Sequence, residues 1–181
     1  MILPIYLSGS NVLRKECEPL TPDYEGLQQL ILDMFETMYN ADGVGLAAPQ
    51  IGKSIRLFVI DSSPMYDDDP NAKGFKKVFI NPEILEYSGE ESKFREGCLS
   101  IPEIHEEVVR KSKIKIRYFD SDFNEHIEEY DGIRARVIMH EYDHIEGVLF
   151  VDLLSPLRRK LIKKRLENIA AGKTQTNYKT I

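Results

Sequence analysis

Apolar and polar residues alternate along this 181-residue chain at spacings that predict both helices and strands. Leu27, Leu30, Ile31, Met34, Phe35 and Met38 recur at steps of three and four, which places them on one buried helix face. Thr21-Pro22-Asp23 is expected to open that helix, because it offers a capping hydroxyl, a proline suited to the first turn and an acid for the positive end. Residues 55–60 form an apolar run interrupted only by Arg56, and residues 78–80 and 84–87 suggest strands on either side of Asn81-Pro82. Pro102 is expected to break the chain after residues 93–100. Residues 106–110, 113–119 and 126–130 alternate with period two, so they predict antiparallel strands with one wet face, the last two joined by a turn at 120–124.

A second helical stripe comprises Ile133, Val137, His140, Glu141 and His144, with Asp131 placed to cap its start and Gly147 to end it. Residues 148–154 suggest a further strand. Residues 155–181 suggest a basic helix and tail, with Leu157, Leu161, Ile162 and Leu166 facing inward. Residues 1–19 read as an extended lead-in turning at Ser8-Gly9-Ser10. Residues 61–77, with Asp67-Asp68-Asp69 in a row, read as an exposed insertion loop. The expected fold is α+β: mostly antiparallel strands wrapped around a central helix, with an N-terminal and a C-terminal helix. At this length a single domain over 1–181 is expected.

The second stripe carries chemistry. His140 and His144 in HEYDH lie one turn apart on a helix and can grip one metal ion, with Glu141 beside it. Four His and eighteen Glu would give HExxH by chance in about one shuffled copy in a hundred. A catalytic metal site takes three protein ligands and keeps a position for water, and Cys98 in EGCLS is the candidate third ligand. Cys17 has no local ligand partner and reads as an incidental thiol, although a Cys17 to Cys98 disulfide, which would abolish the site, stays open. His105 and His126 lack partners at ligand spacing. Met34 and Met38 read as packing.

GVGLAAPQ (43–50), EGCLS (96–100) and HEYDH (140–144), in this order, resemble the three signature motifs of the peptide deformylases over about the whole chain. The resemblance implies an amidohydrolase that removes the formyl group from formyl-methionyl nascent polypeptides and releases formate. Water activated at the metal would attack the formyl carbon, with Glu141 as general base and then acid. By resemblance, Cys98, His140 and His144 hold the ion, and Gln50 and the backbone N–H of Leu99 stabilise the charge on the formyl oxygen. Gly45 and Gly97 flank the substrate backbone. Val44, Ile133 and Val137 line the methionine pocket, by resemblance and by helix face, and Phe94 is a further candidate. The resemblance points to Fe2+, often replaced by Zn2+, Ni2+ or Co2+ in preparations, whereas the sulfur and nitrogen ligands by themselves suit zinc. Met139, Ile145 and His105 depart from common family residues.

Charge adds one feature. Residues 155–181 hold eight Lys or Arg against Glu167, a net of +7, leaving −13 for residues 1–154. The plain reading is the wet side of an amphipathic helix. The resemblance adds a C-terminal helix able to dock on the ribosome, and both readings stand. No membrane-spanning stretch, signal segment or DNA-binding pattern is present, so a cytoplasmic protein is expected. Two other classes remain to be weighed. A zinc endopeptidase would share the helix and base but take its third ligand downstream, where only Glu146 is on offer, on the wrong side of the helix. A structural metal module would want four ligands where three are found.

Overall fold

The computed structural model describes residues 1–66 and 75–181, so the expectation of an acidic loop around Asp67-Asp68-Asp69 lies outside the described residues. Eight elements carry the fold. They are α1 (Leu27–Asn40), β1 (Gly45–Ala47), β2 (Leu57–Asp61), β3 (Lys76–Cys98), β4 (Ile101–Phe119), β5 (Glu125–Asp131), α2 (Gly132–Ile145) and α3 (Pro156–Ala170). The strands form one antiparallel sheet in the order β1-β2-β3-β4-β5. Helix α2 packs against β1, β2, β4 and β5 and so lies at the centre of the wrap. The α+β class and the central HExxH helix are as the periodicity indicates.

Each helix is held by the apolar face its spacing defines. Leu27, Leu30, Ile31, Met34, Phe35 and Met38 of α1 are all buried and meet Leu46, Leu57 and Val59 of the first two strands. On α2, Ala135, Val137 and Ile138 pack on Phe58, Phe79 and Tyr118. Burial of one such side chain is worth about 1.5–3 kcal/mol, which is why a modest apolar stripe suffices to dock a helix.

Several boundaries differ from expectation, each for a local reason. Helix α1 starts at Leu27 behind Gly26, not at Thr21. The Thr21 hydroxyl donates to the Asp23 carboxylate and the Tyr24 N–H donates to the Thr21 carbonyl, so the capping groups are spent on a turn. The strands expected on either side of Asn81-Pro82 are one continuous β3. The register shifts between Ile80 and Glu83, a bulge that absorbs a residue with no N–H to give. Asn81 takes a left-handed backbone and clasps Leu20, accepting its N–H at 2.7 Å and donating to its carbonyl at 2.8 Å. Pro102 does not break the chain but lies at the start of β4, beside the shift between Glu96 and Cys98. The strands expected at 106–110 and 113–119 likewise merge into β4.

Residues 148–154 are not a strand: Phe150–Leu153 is a 3-10 turn. The Asp152 carboxylate accepts the Leu149 N–H at 2.9 Å and receives Arg14 at 2.6 and 3.2 Å, which bends the backbone away from an extended course. On α3, Leu157 and Leu161 face outward, 66% and 61% exposed. The inward stripe is instead Ile162, Leu166 and Ile169. Arg158 sets that rotation by pairing with Glu106 of β4 at 2.8 Å, and Arg165 by donating to the Glu103 carbonyl at 2.5 Å.

Candidate metal centre

The end of β3 and the middle of α2 meet at one point. Cys98 Sγ lies 3.3 Å from His144 Nε2, and one ligand atom each from Cys98, His140 and His144 all fall within 4.8 Å of one another. The two imidazoles stand edge to face with centroids 5.2 Å apart, as a one-turn spacing on a helix dictates. Glu146, the downstream acid an endopeptidase would need, is committed to Arg56 at 2.7 Å and is no part of the cluster.

A buried ion network holds the first histidine. His140 Nδ1 faces Glu96 Oε1 at 2.9 Å, which turns its other ring nitrogen away from that carboxylate. Glu96 is in turn gripped by Arg110 at 2.8 and 3.0 Å and by Arg136 at 3.0 Å, while Arg110 also reaches Asp143 at 2.7 Å. Burial pushes the Glu96 carboxyl up, but His140 and Arg110 outweigh it and hold it down at about 2. The Arg110–Glu96 pair extends to Asp143 inside the HEYDH segment. Orienting a ligand histidine through a carboxylate raises its basicity toward a metal.

Whether these residues fit a metal is decided by the donors. Burial, then His140, keeps His144 well below its ordinary value and therefore neutral, the form that ligates. Burial lowers His140, but the Cys98 sulfur and Glu96 raise it further, so this spot favours a positive charge. His144 Nδ1 and Glu141 Oε2 are buried with no hydrogen-bond partner among the described residues. Three convergent soft and borderline donors with a buried carboxylate alongside fit a single divalent ion.

Glu141 is pushed up to about 7, chiefly by burial, with His140 opposing. Its space is made by Gly45: a Cβ there would stand 2.5 Å from Glu141 Oε1. Gly45 therefore serves the carboxylate directly, a need the loop sequence does not reveal. A Cβ at Gly97 would come within 2.5 Å of the His105 ring, so His105 lies across that glycine. Gln50 is buried; its Oε1 accepts the Ala47 N–H at 2.9 Å, and its Nε2 reaches Ser100 Oγ at 3.1 Å and Cys98 Sγ at 3.5 Å.

A cavity of about 640 Å³ opens onto the cluster. Val44, Gly45, Gln50, Gly97, Leu99 and Val137 all line it, and Cys98, His140 and Glu141 form part of its wall. His144 is buried behind them. Phe94 lines the cavity as well. Ile133 does not: it packs half-buried in the cluster beneath α2, one turn before Val137. Sequence reasoning missed three contributors. Arg136, on the α2 face next to Val137, spans Glu96, the Val108 carbonyl and Ser92. Residues 175–178 reach the cavity from the far end of the chain, and no local pattern announces it. Ser100 anchors Gln50; it stands inside EGCLS, where the motif itself was the available signal.

Cys17 and Cys98 are both free, and Cys17 is buried. His126 pairs with Asp120 at 2.7 Å, remote from the cluster.

Two helix-borne histidines one turn apart, a strand-end sulfur and an intervening buried carboxylate make the donor set expected of an HExxH metallohydrolase. A family model described as polypeptide deformylase matches residues 2–160. A peptide deformylase of Flavobacterium psychrophilum is 53% identical over 186 residues, covering 99% of this chain and 96% of that protein. The crystal structure of a peptide deformylase from Legionella pneumophila superposes with a TM-score of 0.81 at 42% identity, covering 96% of this chain and 98% of that one. A plant structure, peptide deformylase 1B of Arabidopsis thaliana, gives a TM-score of 0.83 at 35% identity, covering 92% and 90%. The chain belongs to the polypeptide deformylase family.

Proposed function

We propose that this protein hydrolyses the formyl group from the N-terminal methionine of nascent polypeptides, releasing formate. The observation that carries this reading is the convergence of Cys98, His140 and His144 beside a buried Glu141 whose Oε2 has no hydrogen-bond partner among the described residues, in a chain of this family. We infer that these three side chains hold one divalent ion, Fe2+ by resemblance, with Zn2+, Ni2+ or Co2+ able to occupy the same donors. Such an ion lowers the pKa of water from about 16 toward 7 and polarises a carbonyl.

The chain's own groups do the rest. Glu141, raised to about 7, is matched to taking a proton from water at neutral pH and returning it to the leaving amine. Gln50 Nε2 stands beside Cys98 with its partner oxygen tied to Ala47, so its N–H groups are oriented before substrate arrives. With the Leu99 N–H it would stabilise the negative formyl oxygen, where losing one donor typically costs about a hundredfold in rate. Val44 and Val137 line the cavity and suit a methionine side chain; Ile133 supports Val137 from behind. Gly45 and Gly97 line the cavity, where the substrate backbone is proposed to pass, while Glu141 and His105 fill the space that side chains there would take.

The whole chain acts as one catalytic domain in this reading, and its site is cytoplasmic, where nascent chains are made. No helix among the described residues is long and apolar enough to cross a membrane. The outward face of α3, with Leu157, Arg159, Lys160, Leu161, Lys163 and Lys164 exposed, is the surface proposed to meet the ribosome. Cosedimentation with ribosomes should fall when Lys160, Lys163 and Lys164 are changed to Glu. The main test is formate release from a formyl-Met tripeptide with oxygen excluded. The expected result is turnover of the formylated peptide and none of its acetylated counterpart; cleavage of unformylated casein instead would support an endopeptidase.

A further inference from the structure

Beyond α3 the chain folds back across the molecule to the cavity. The Ile5 N–H donates to the Lys179 carbonyl at 2.9 Å, the Ile181 N–H to the Ile5 carbonyl at 2.9 Å and the Leu7 N–H to the Ile181 carbonyl at 3.1 Å. This parallel pairing, with Ile5 opposite Thr180, carries Gln175, Thr176, Asn177 and Tyr178 to the cavity wall. Thr176 Oγ1 donates to the Tyr178 carbonyl at 2.7 Å and closes the local turn. The Tyr178 ring packs half-buried against the cluster under α1, and its hydroxyl donates to the Leu99 carbonyl at 2.7 Å.

That contact falls on the turn that follows the sulfur ligand. The turn is gripped from three sides: Gln50 Nε2 on Ser100 Oγ, the Ser8 N–H on the Ser100 carbonyl at 2.8 Å, and Tyr178 on the Leu99 carbonyl. All three grips come from segments distant in sequence, and none is needed to close the β3–β4 hairpin, which already pairs Cys98 with Ile101. Because the peptide is planar, fixing the Leu99 carbonyl fixes the plane that follows Leu99 and restricts rotation about that residue. The tilt of its N–H is restricted with it.

We propose that Tyr178 is a positioning residue for the reaction: its hydroxyl holds the Leu99 backbone so that the N–H stays aimed at the formyl oxygen, making the C-terminal segment a working part of the active site. This rests on the deformylase reading of the same site. A donor aimed at charge that develops during reaction affects turnover rather than ground-state binding. Tyr178→Phe keeps the ring and its packing and removes only the hydroxyl.

The test is steady-state kinetics of the unaltered, metal-loaded full chain and Tyr178→Phe on a formyl-Met tripeptide, with thermal unfolding alongside. Loss of one hydrogen bond predicts a fall in kcat of about five- to tenfold, KM changed by less than about twofold and a melting shift of no more than about 4 °C. A kcat within about twofold of the unaltered chain overturns the proposal, as does a change confined to KM. A loss of activity that merely tracks the fraction unfolded also overturns it, since that is a purely structural role. Formate release by the unaltered chain decides the reading of the site itself; the ratio of variant to unaltered turnover decides the role of Tyr178.

Discussion

At the scale of the residue, the site depends on which buried groups lack partners. Glu141 is buried with one oxygen unbonded among the described residues, a costly arrangement for a carboxylate that only structure would need. Glu141→Gln keeps the shape and removes the proposed base, so metal content should stay near that of the unaltered chain while turnover falls by about a hundredfold or more. Elemental analysis and formate release on the same sample check both halves. Gly45→Ala reaches the same group from the opposite side, since its methyl would press on Glu141 Oε1. A displacement of about 1 Å typically costs about a hundredfold in rate, again with metal retained.

The convergence of Cys98, His140 and His144 was legible in the sequence because a helix turns a spacing of four into a shared face and because a sulfur was available. The role of Gly45 was not legible, because a close approach between β1 and α2 is a property of packing rather than of the loop. The same holds for Arg136. No local pattern marks this arginine as buried, yet Glu96, Ser92 and the Val108 carbonyl together satisfy it inside.

At the scale of the element, the buried faces of α1 and α2 followed from periodicity, whereas the boundaries and the face of α3 did not. Hydroxyl and carboxylate side chains at Thr21, Asp23 and Asp152 can serve a helix start or a tight turn, and their partners in space choose. Prolines 82 and 102 look like breaks, but bulges let them sit in strands. Helix α3 shows how charge can set rotation. Leu157 and Leu161 match the apolar stripe as well as Ile162 and Leu166 do, yet Arg158 and Arg165 find acceptors on β4 and turn the leucines outward. Ile162→Ala should therefore cost about 2–4 kcal/mol in urea unfolding, whereas Leu161→Ala should stay within about 0.5 kcal/mol. Equal costs would mean the helix is rotated from the orientation described.

At the scale of the whole molecule, the two terminal segments meet each other beside the turn after Cys98. The segment at 179–181 pairs with Ile5 and Leu7, and the N-terminal Ser8 and C-terminal Tyr178 both grip the turn after Cys98. Such long-range pairing leaves no periodic trace in a polar tail, which is why only the structure reveals it.

Stability should also vary with pH through Cys17. Burial raises this thiol from about 9 to about 11, with Arg56 only partly opposing. A folded pKa above the unfolded value means the contribution is complete below about pH 9 and is lost as pH rises toward 11. Two pKa units correspond to at most about 3 kcal/mol. Cys17→Ala should flatten this alkaline decline in urea unfolding; an unchanged decline would place its origin elsewhere.

The convergence of two α2 histidines and the β3 sulfur on one ion is most directly measured by X-ray absorption at the metal edge of the zinc-loaded chain. One sulfur at about 2.3 Å and nitrogen or oxygen neighbours at about 2.0–2.1 Å are predicted, with the sulfur signal lost in Cys98→Ala. A first shell without sulfur in the unaltered chain would contradict the site described.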